Sequence, residues 1–149
     1  MHQVPSGFEL AVIVGDFDAP TTDEIFEEFT VPEKLIAWWP KQAELEPKVG
    51  GSYVFSWPEQ GWFLRGEYLA FAPGRHLAFT WSWDHEPARP EPQRVDIWFD
   101  RVHESGTRIG IFHGPFSDTP EDAAARQGVV EGWIHFCMNL GGLAAGKVD

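Results

Sequence analysis

The sequence predicts an α+β fold: a curved antiparallel sheet of about six to seven strands around a long C-terminal helix, with two short helices after the first strand. Three observations lead there. Between Gly50 and His113, apolar side chains alternate at period two in runs separated by Pro, Gly and charged residues, as consecutive antiparallel strands require. From Thr119 onward the apolar spacing changes to three and four residues, which is helical. Between the first strand and Gly50 the chain carries helix start and stop signals instead.

Taken in order, Phe8 to Val14 is rich in Val, Ile and Leu and ends at Gly15-Asp16, a strand. Ala19-Pro20-Thr21-Thr22-Asp23-Glu24 starts a helix, with an extended approach at Pro20, a capping Thr and acids in the first turn. Ile25, Phe26 and Phe29 form its apolar stripe. A second short helix runs from Glu33 towards Trp38-Trp39, where Pro40 stops it. Strands follow at Ser52 to Trp57, Trp62 to Ala72 and His76 to Trp83, separated by Pro58 to Gly61 and by Pro73-Gly74. The Pro-rich, charged stretch Asp84 to Gln93 reads as an exposed loop. Arg94 to Arg101 and Thr107 to His113 form a hairpin across Glu104-Ser105-Gly106. Thr119-Pro120-Glu121-Asp122 has the order of a helix N-terminus, a hydroxyl, then Pro, then acids. That helix runs to about Ala145, with Val129, Trp133, Cys137 (or Phe136), Leu140 and Leu143 on one stripe and Gly128 and Gly132 as expected points of close approach. The whole chain, 1–149, reads as a single domain without repeats or an interdomain linker.

Composition narrows the function. Eleven Lys and Arg against 23 Asp and Glu leave a formal charge of −12, which repels phosphate backbones and anionic lipid surfaces, so neither nucleic acid nor membrane is an expected partner. The N-terminal apolar run is too short, and too soon interrupted by Asp16, for a signal peptide or a span, which points to the cytoplasm. Cys137 is the one cysteine, so an internal disulfide is excluded. Aromatic residues make up 15% of the chain, with eight Trp, a surplus that calls for a use.

The candidate site follows from strand parity. Tyr53, Phe55 and Trp57 share one face, as do Phe79, Trp81 and Trp83. Placed on a concave sheet, with Ile97 from the hairpin and Trp133 and Cys137 from the helix, they either fill a core or line a cavity for an apolar or aromatic small molecule. Adjacent helical residues diverge by about 100°. One of Trp38 and Trp39 is therefore expected at the cavity mouth, the other partly exposed. His113 shares a face with Ile109 and Ile111 and points inward. It is either a satisfied core histidine or a group that orients a ligand or moves a proton. Arg65 and Glu67 share a face with Leu69 and Phe71, while Trp62, Leu64 and Tyr68 claim the other; if the first face is concave, the two charges are ligand contacts. Metal binding is not expected, since His135 and Cys137 lie about 200° apart on their helix. No cofactor-binding loop is present either; Gly50-Gly51 precedes a strand rather than a helix. Trp98 points to the polar side of its strand, where it either covers a neighbour or mediates a homodimer.

A family resemblance rests on ordered motifs. Ala19-Pro20, Ile25-Phe26, Pro32-Glu33-Lys34-Leu35, Trp38-Trp39, Val49-Gly50-Gly51-Ser52-Tyr53, Gly66-Glu67-Tyr68, Leu77-Ala78-Phe79-Thr80-Trp81, Gly106-Thr107-Arg108, His113-Gly114 and Gly132-Trp133 occur in the order seen in the Aha-type family. The chain thus resembles that branch of the START-like (SRPBCC) superfamily, whose members share the helix-grip fold of the birch-pollen allergen. The chain has Cys137 where the family usually has Leu, and Ala70 where an acid is common. The resemblance implies three functions hosted on this scaffold: binding an apolar small molecule, cyclase or dehydratase catalysis with His113 as the proton carrier, or regulation of a chaperone ATPase. Ligand binding is favoured, because no second acid or base accompanies His113 and no additional chaperone-binding domain is present.

Overall fold

The chain opens with two paired strands, β1 (His2–Val4) and β2 (Ala11–Phe17), in a computed structural model that describes residues 1–102 and 106–144. Helices α1 (Thr22–Thr30) and α2 (Pro32–Leu35) then carry it to the opposite edge of the sheet. There β3 (Gln42–Leu45), β4 (Ser52–Trp57), β5 (Trp62–Ala72), β6 (His76–Trp83), β7 (Gln93–Arg101) and β8 (Thr107–Gly114) meander back, and α3 (Pro120–Ala144) closes the fold. All strand pairs are antiparallel, in the order β1-β2-β8-β7-β6-β5-β4-β3. This is the expected α+β helix-grip arrangement with eight strands rather than six or seven. The two additions, β1 and β3, are short edge strands of three and four residues, too brief to show a period. The expected turn at 104–105 and the expected helix end at Ala145 lie outside the described residues.

Local chemistry explains most boundaries. Thr21 caps α1 with a complete capping box: its hydroxyl accepts from the Glu24 N–H, and the Glu24 carboxylate accepts from the Thr21 N–H. Thr21 is exposed, so Thr21→Ala removes the cap with little loss of packing and should cost about 1 kcal/mol, read as a lower urea midpoint. The first long strand starts and ends later than expected. Gly15 stays in the ladder because its missing Cβ leaves room for the Met1 side chain, and Asp16 faces outward onto Arg108 at 2.8 Å.

The β5–β6 register contains the main correction. Tyr68 pairs with Phe79 and Ala70 with Ala78, so Leu69 is an extra residue in β5. Such a bulge reverses side-chain parity along the strand. Leu64 and Tyr68 therefore point inward before the bulge, and Phe71 points inward after it, packing edge-on to Phe26 at 5.3 Å. Arg65 and Glu67 lie on the exposed convex side, where Arg65 forms a two-pronged ion pair with Asp84. They are not part of the concave surface.

The core lies between the sheet and the helices. Tyr53, Phe55, Phe79, Ile97 and Ile111 from the sheet meet Val130, Trp133, Cys137 and Leu140 of α3, and each fully buried aliphatic side chain contributes about 2 kcal/mol. Cys137 is buried and its thiol is pushed up to about 12 by desolvation, so it is a packing residue rather than a nucleophile. The Trp98 ring stacks on His76, across the strand pair, at 3.7 Å, and stays 42% exposed.

A tryptophan cleft between the sheet and the last helix

The cleft arises from a mismatch of side-chain size. Towards its N-terminal half, α3 presents Ala125, Gly128, Val129 and Gly132, and a Cβ built at either glycine would meet nothing within 4 Å. These glycines were expected at points of close approach; they open space instead. Opposite them β4 and β6 present Trp57, Trp81 and Trp83, large rings that cannot close down onto so small a helix face. The result is a cleft of about 380 Å³, partly open to solvent, lined by six of the eight tryptophans.

The rings brace one another. Trp39 stacks on Trp81 with centroids 6.1 Å apart and leans on Trp133 at 5.0 Å. Trp81 stands perpendicular to Trp83 at 5.8 Å, and Trp83 meets Trp57 at 5.5 Å. Such pairs contribute roughly 1 kcal/mol each beyond their buried area and hold the walls in one arrangement. Trp38 and Trp39 are both buried, contrary to the expected split between a lid and an exposed partner. They lie in the turn beyond α2 rather than in a continuing helix, so both indoles turn inward and stack at 5.7 Å. Trp38 donates to the Glu28 carbonyl and packs on Phe29, while Trp39 alone reaches the cleft.

A polar relay lies behind the aromatic wall. The Trp133 indole N–H donates to His113 Nδ1 at 3.1 Å. An indole nitrogen only donates, so the ring hydrogen of His113 sits on Nε2, which donates to Gln93 Oε1 at 3.1 Å. The Gln93 amide nitrogen then donates to the Pro115 carbonyl. His113 is fully buried beneath Trp81, and desolvation, helped by the charge of Arg89, lowers its pKa to about 3. It points inward as expected, but both nitrogens are committed within the protein and the ring is neutral near pH 7. A proton-transfer role has no geometry here.

The rim is charged. Arg89 binds Asp122 through two 3.1 Å contacts, which latch the 84–92 loop to the start of α3. Asp122 also accepts from the Ser117 N–H and hydroxyl, and Arg89 and Ser117 together hold its carboxyl down to about 2. Glu86 lines the rim, exposed, and its carboxylate has no hydrogen-bond or ion-pair partner among the described residues. Among the residues expected at the site, Trp39, Trp57, Trp81, Trp83 and Trp133 come together. Tyr53, Phe55, Phe79, Ile97, Cys137 and Trp38 pack below or beside the cleft instead. Sequence reasoning missed Trp62, His85, Glu86, Arg89, Gln93, Phe116 and Phe136. The Ala125, Gly128, Gly132 spacing on one helix face was a usable signal for the open wall. Nothing local marked the loop residues as rim. Among the described residues, no group of three His, Cys, Asp or Glu could hold a metal ion, and no helix is long and apolar enough to cross a membrane.

An eight-stranded antiparallel sheet gripping a long C-terminal helix over an aromatic cleft defines a START-like helix-grip protein. The chain belongs to the family described as Activator of Hsp90 ATPase homolog 1-like protein, whose model matches residues 19–145. Among solved structures it is similar to protein MLL2253 of Mesorhizobium loti, with a TM-score of 0.79 at 23% identity, covering 94% of this chain and 98% of that one. CalU16 of Micromonospora echinospora gives 0.72 at 21% identity over 94% of this chain and 76% of that one. PFC0360w, an HSP90 activator from Plasmodium falciparum, gives 0.70 at 19% identity, over 93% and 96%. At these identities the likeness establishes the fold alone. No curated protein matches the chain significantly.

Proposed function

We propose that this domain binds an apolar or aromatic small molecule in the tryptophan cleft. One observation carries the reading: about 380 Å³ of space walled by braced indoles and opened by two helix glycines. That volume lies in the range of small-molecule sites, which combine apolar walls with few polar groups. The catalytic alternative loses its carrier, because His113 is neutral, covered and hydrogen-bonded on both sides. Regulation of a chaperone ATPase rests on the family description and on the name of one structural neighbour.

The test fills the cleft. Gly132→Leu places a side chain in open space and replaces a poor helix former by a good one, so the fold should hold or gain up to about 1 kcal/mol. Binding of small aromatic probes, followed by intrinsic Trp fluorescence, should weaken at least about tenfold. Unchanged affinity in the filled variant would place any binding elsewhere and end this reading. Heat on titration with a purified chaperone would favour the regulatory role instead.

A further inference from the structure

We propose that the cleft selects ligands carrying a positive charge on their apolar body, of the quaternary or aryl-alkyl ammonium class. This rests on the ligand-binding reading and names its chemistry. Trp81 and Trp83 meet at 87°, and Trp57 adjoins Trp83, so neighbouring indoles wall the space on more than one side. Indole faces carry negative electrostatic potential and attract a cation placed over them, most strongly where water is excluded.

The charges at the rim agree. Arg89 is a cation on the lining, but its guanidinium is engaged at two nitrogens by Asp122, so its charge is neutralised where an anionic ligand would need it. Glu86 offers the opposite: an exposed carboxylate at the mouth with no partner among the described residues. The formal charge of −12 adds a long-range field that draws cations towards the protein. An anionic head group would meet the Glu86 carboxylate and an arginine already paired with Asp122; a cation would meet indole walls and a carboxylate with no partner among the described residues.

The experiment compares two probes of equal shape on the full chain, benzyltrimethylammonium and its uncharged carbon isostere neopentylbenzene, by Trp fluorescence titration. The cation should bind about tenfold more tightly. Glu86→Gln, an exposed change that leaves the packing intact, should weaken the cation about threefold and leave neopentylbenzene unchanged. Equal or tighter binding of neopentylbenzene overturns charge selection while the cleft remains a binding site, and a cation preference that Glu86→Gln leaves whole overturns the part assigned to Glu86 and leaves selection to the indoles alone. Failure of both probes to bind overturns this inference together with the reading on which it rests.

Discussion

Replacing His113 with leucine should lower stability at pH 7 by about 3 kcal/mol and remove a pH dependence that the parent protein shows on mild acidification. The first effect comes from the partners left behind: the Trp133 indole N–H loses its acceptor and Gln93 Oε1 its donor, both in the buried interior. Each orphaned group costs about 1 to 3 kcal/mol. The second effect follows from protonation. The folded ring has a pKa of about 3, below its ordinary 6.5, so as pH falls the unfolded chain takes up a proton that the folded chain refuses. The contribution is complete above pH 6.5 and is lost as pH drops through the window down to about 3. Between pH 7 and 5 that loss is about 2 kcal/mol. Urea unfolding of both proteins at the two pH values reads it directly. Parallel losses in parent and variant would show that His113 is not the group responsible.

Gly66→Ala should be the most damaging change of a single methyl group, about 3 kcal/mol, or roughly 10 °C in Tm. Gly66 lies opposite Tyr53 in the β4–β5 pair, and the Tyr53 ring crosses it to donate its hydroxyl to the Thr80 carbonyl at 2.6 Å. A Cβ on Gly66 would collide with that backbone carbonyl and come within 2.6 Å of Tyr53 Cε2. Backbone in mid-sheet cannot step aside as a flexible side chain would, so the strands must part. Gly128→Ala is the control, since its Cβ enters open space, and the substitution should leave Tm unchanged or slightly raised. Similar melting points for parent and Gly66→Ala would refute the close approach.

Strands β4 and β6 and the hairpin of β7 and β8 were legible because each keeps a one-sided apolar alternation between strong turn residues, and β5 because turn residues bound it on both sides. What escaped was interruption of a pattern. The bulge at Leu69 adds one residue, so Phe71, which shares a face with Arg65 and Glu67 by simple alternation, turns inward with Leu64 and Tyr68. No residue type announces such a bulge, because it is set by pairing with β6. The site was half legible for a related reason. Period two identifies Trp57, Trp81 and Trp83 as inward, but inward residues fill a core or line a space according to what faces them. The decisive partner was the small face of α3, between about forty and seventy-five residues away in the chain. His113 shows the same limit: its direction follows from Ile109 and Ile111, whereas its silence as an acid or base depends on Trp133 and Gln93, distant in sequence.

The braced indoles also make the protein an optical object. Trp39, Trp81, Trp83, Trp57 and Trp133 form an unbroken chain of ring contacts, with centroids 5.0 to 6.1 Å apart. At such separations the transition dipoles of neighbouring chromophores couple and excitation hops among them before it is emitted. Near-ultraviolet circular dichroism should therefore carry a collective exciton signal, and a quencher touching one ring should darken several. The spectrum belongs to the assembly of rings, so removing Trp83 alone should reshape it by more than one chromophore's share.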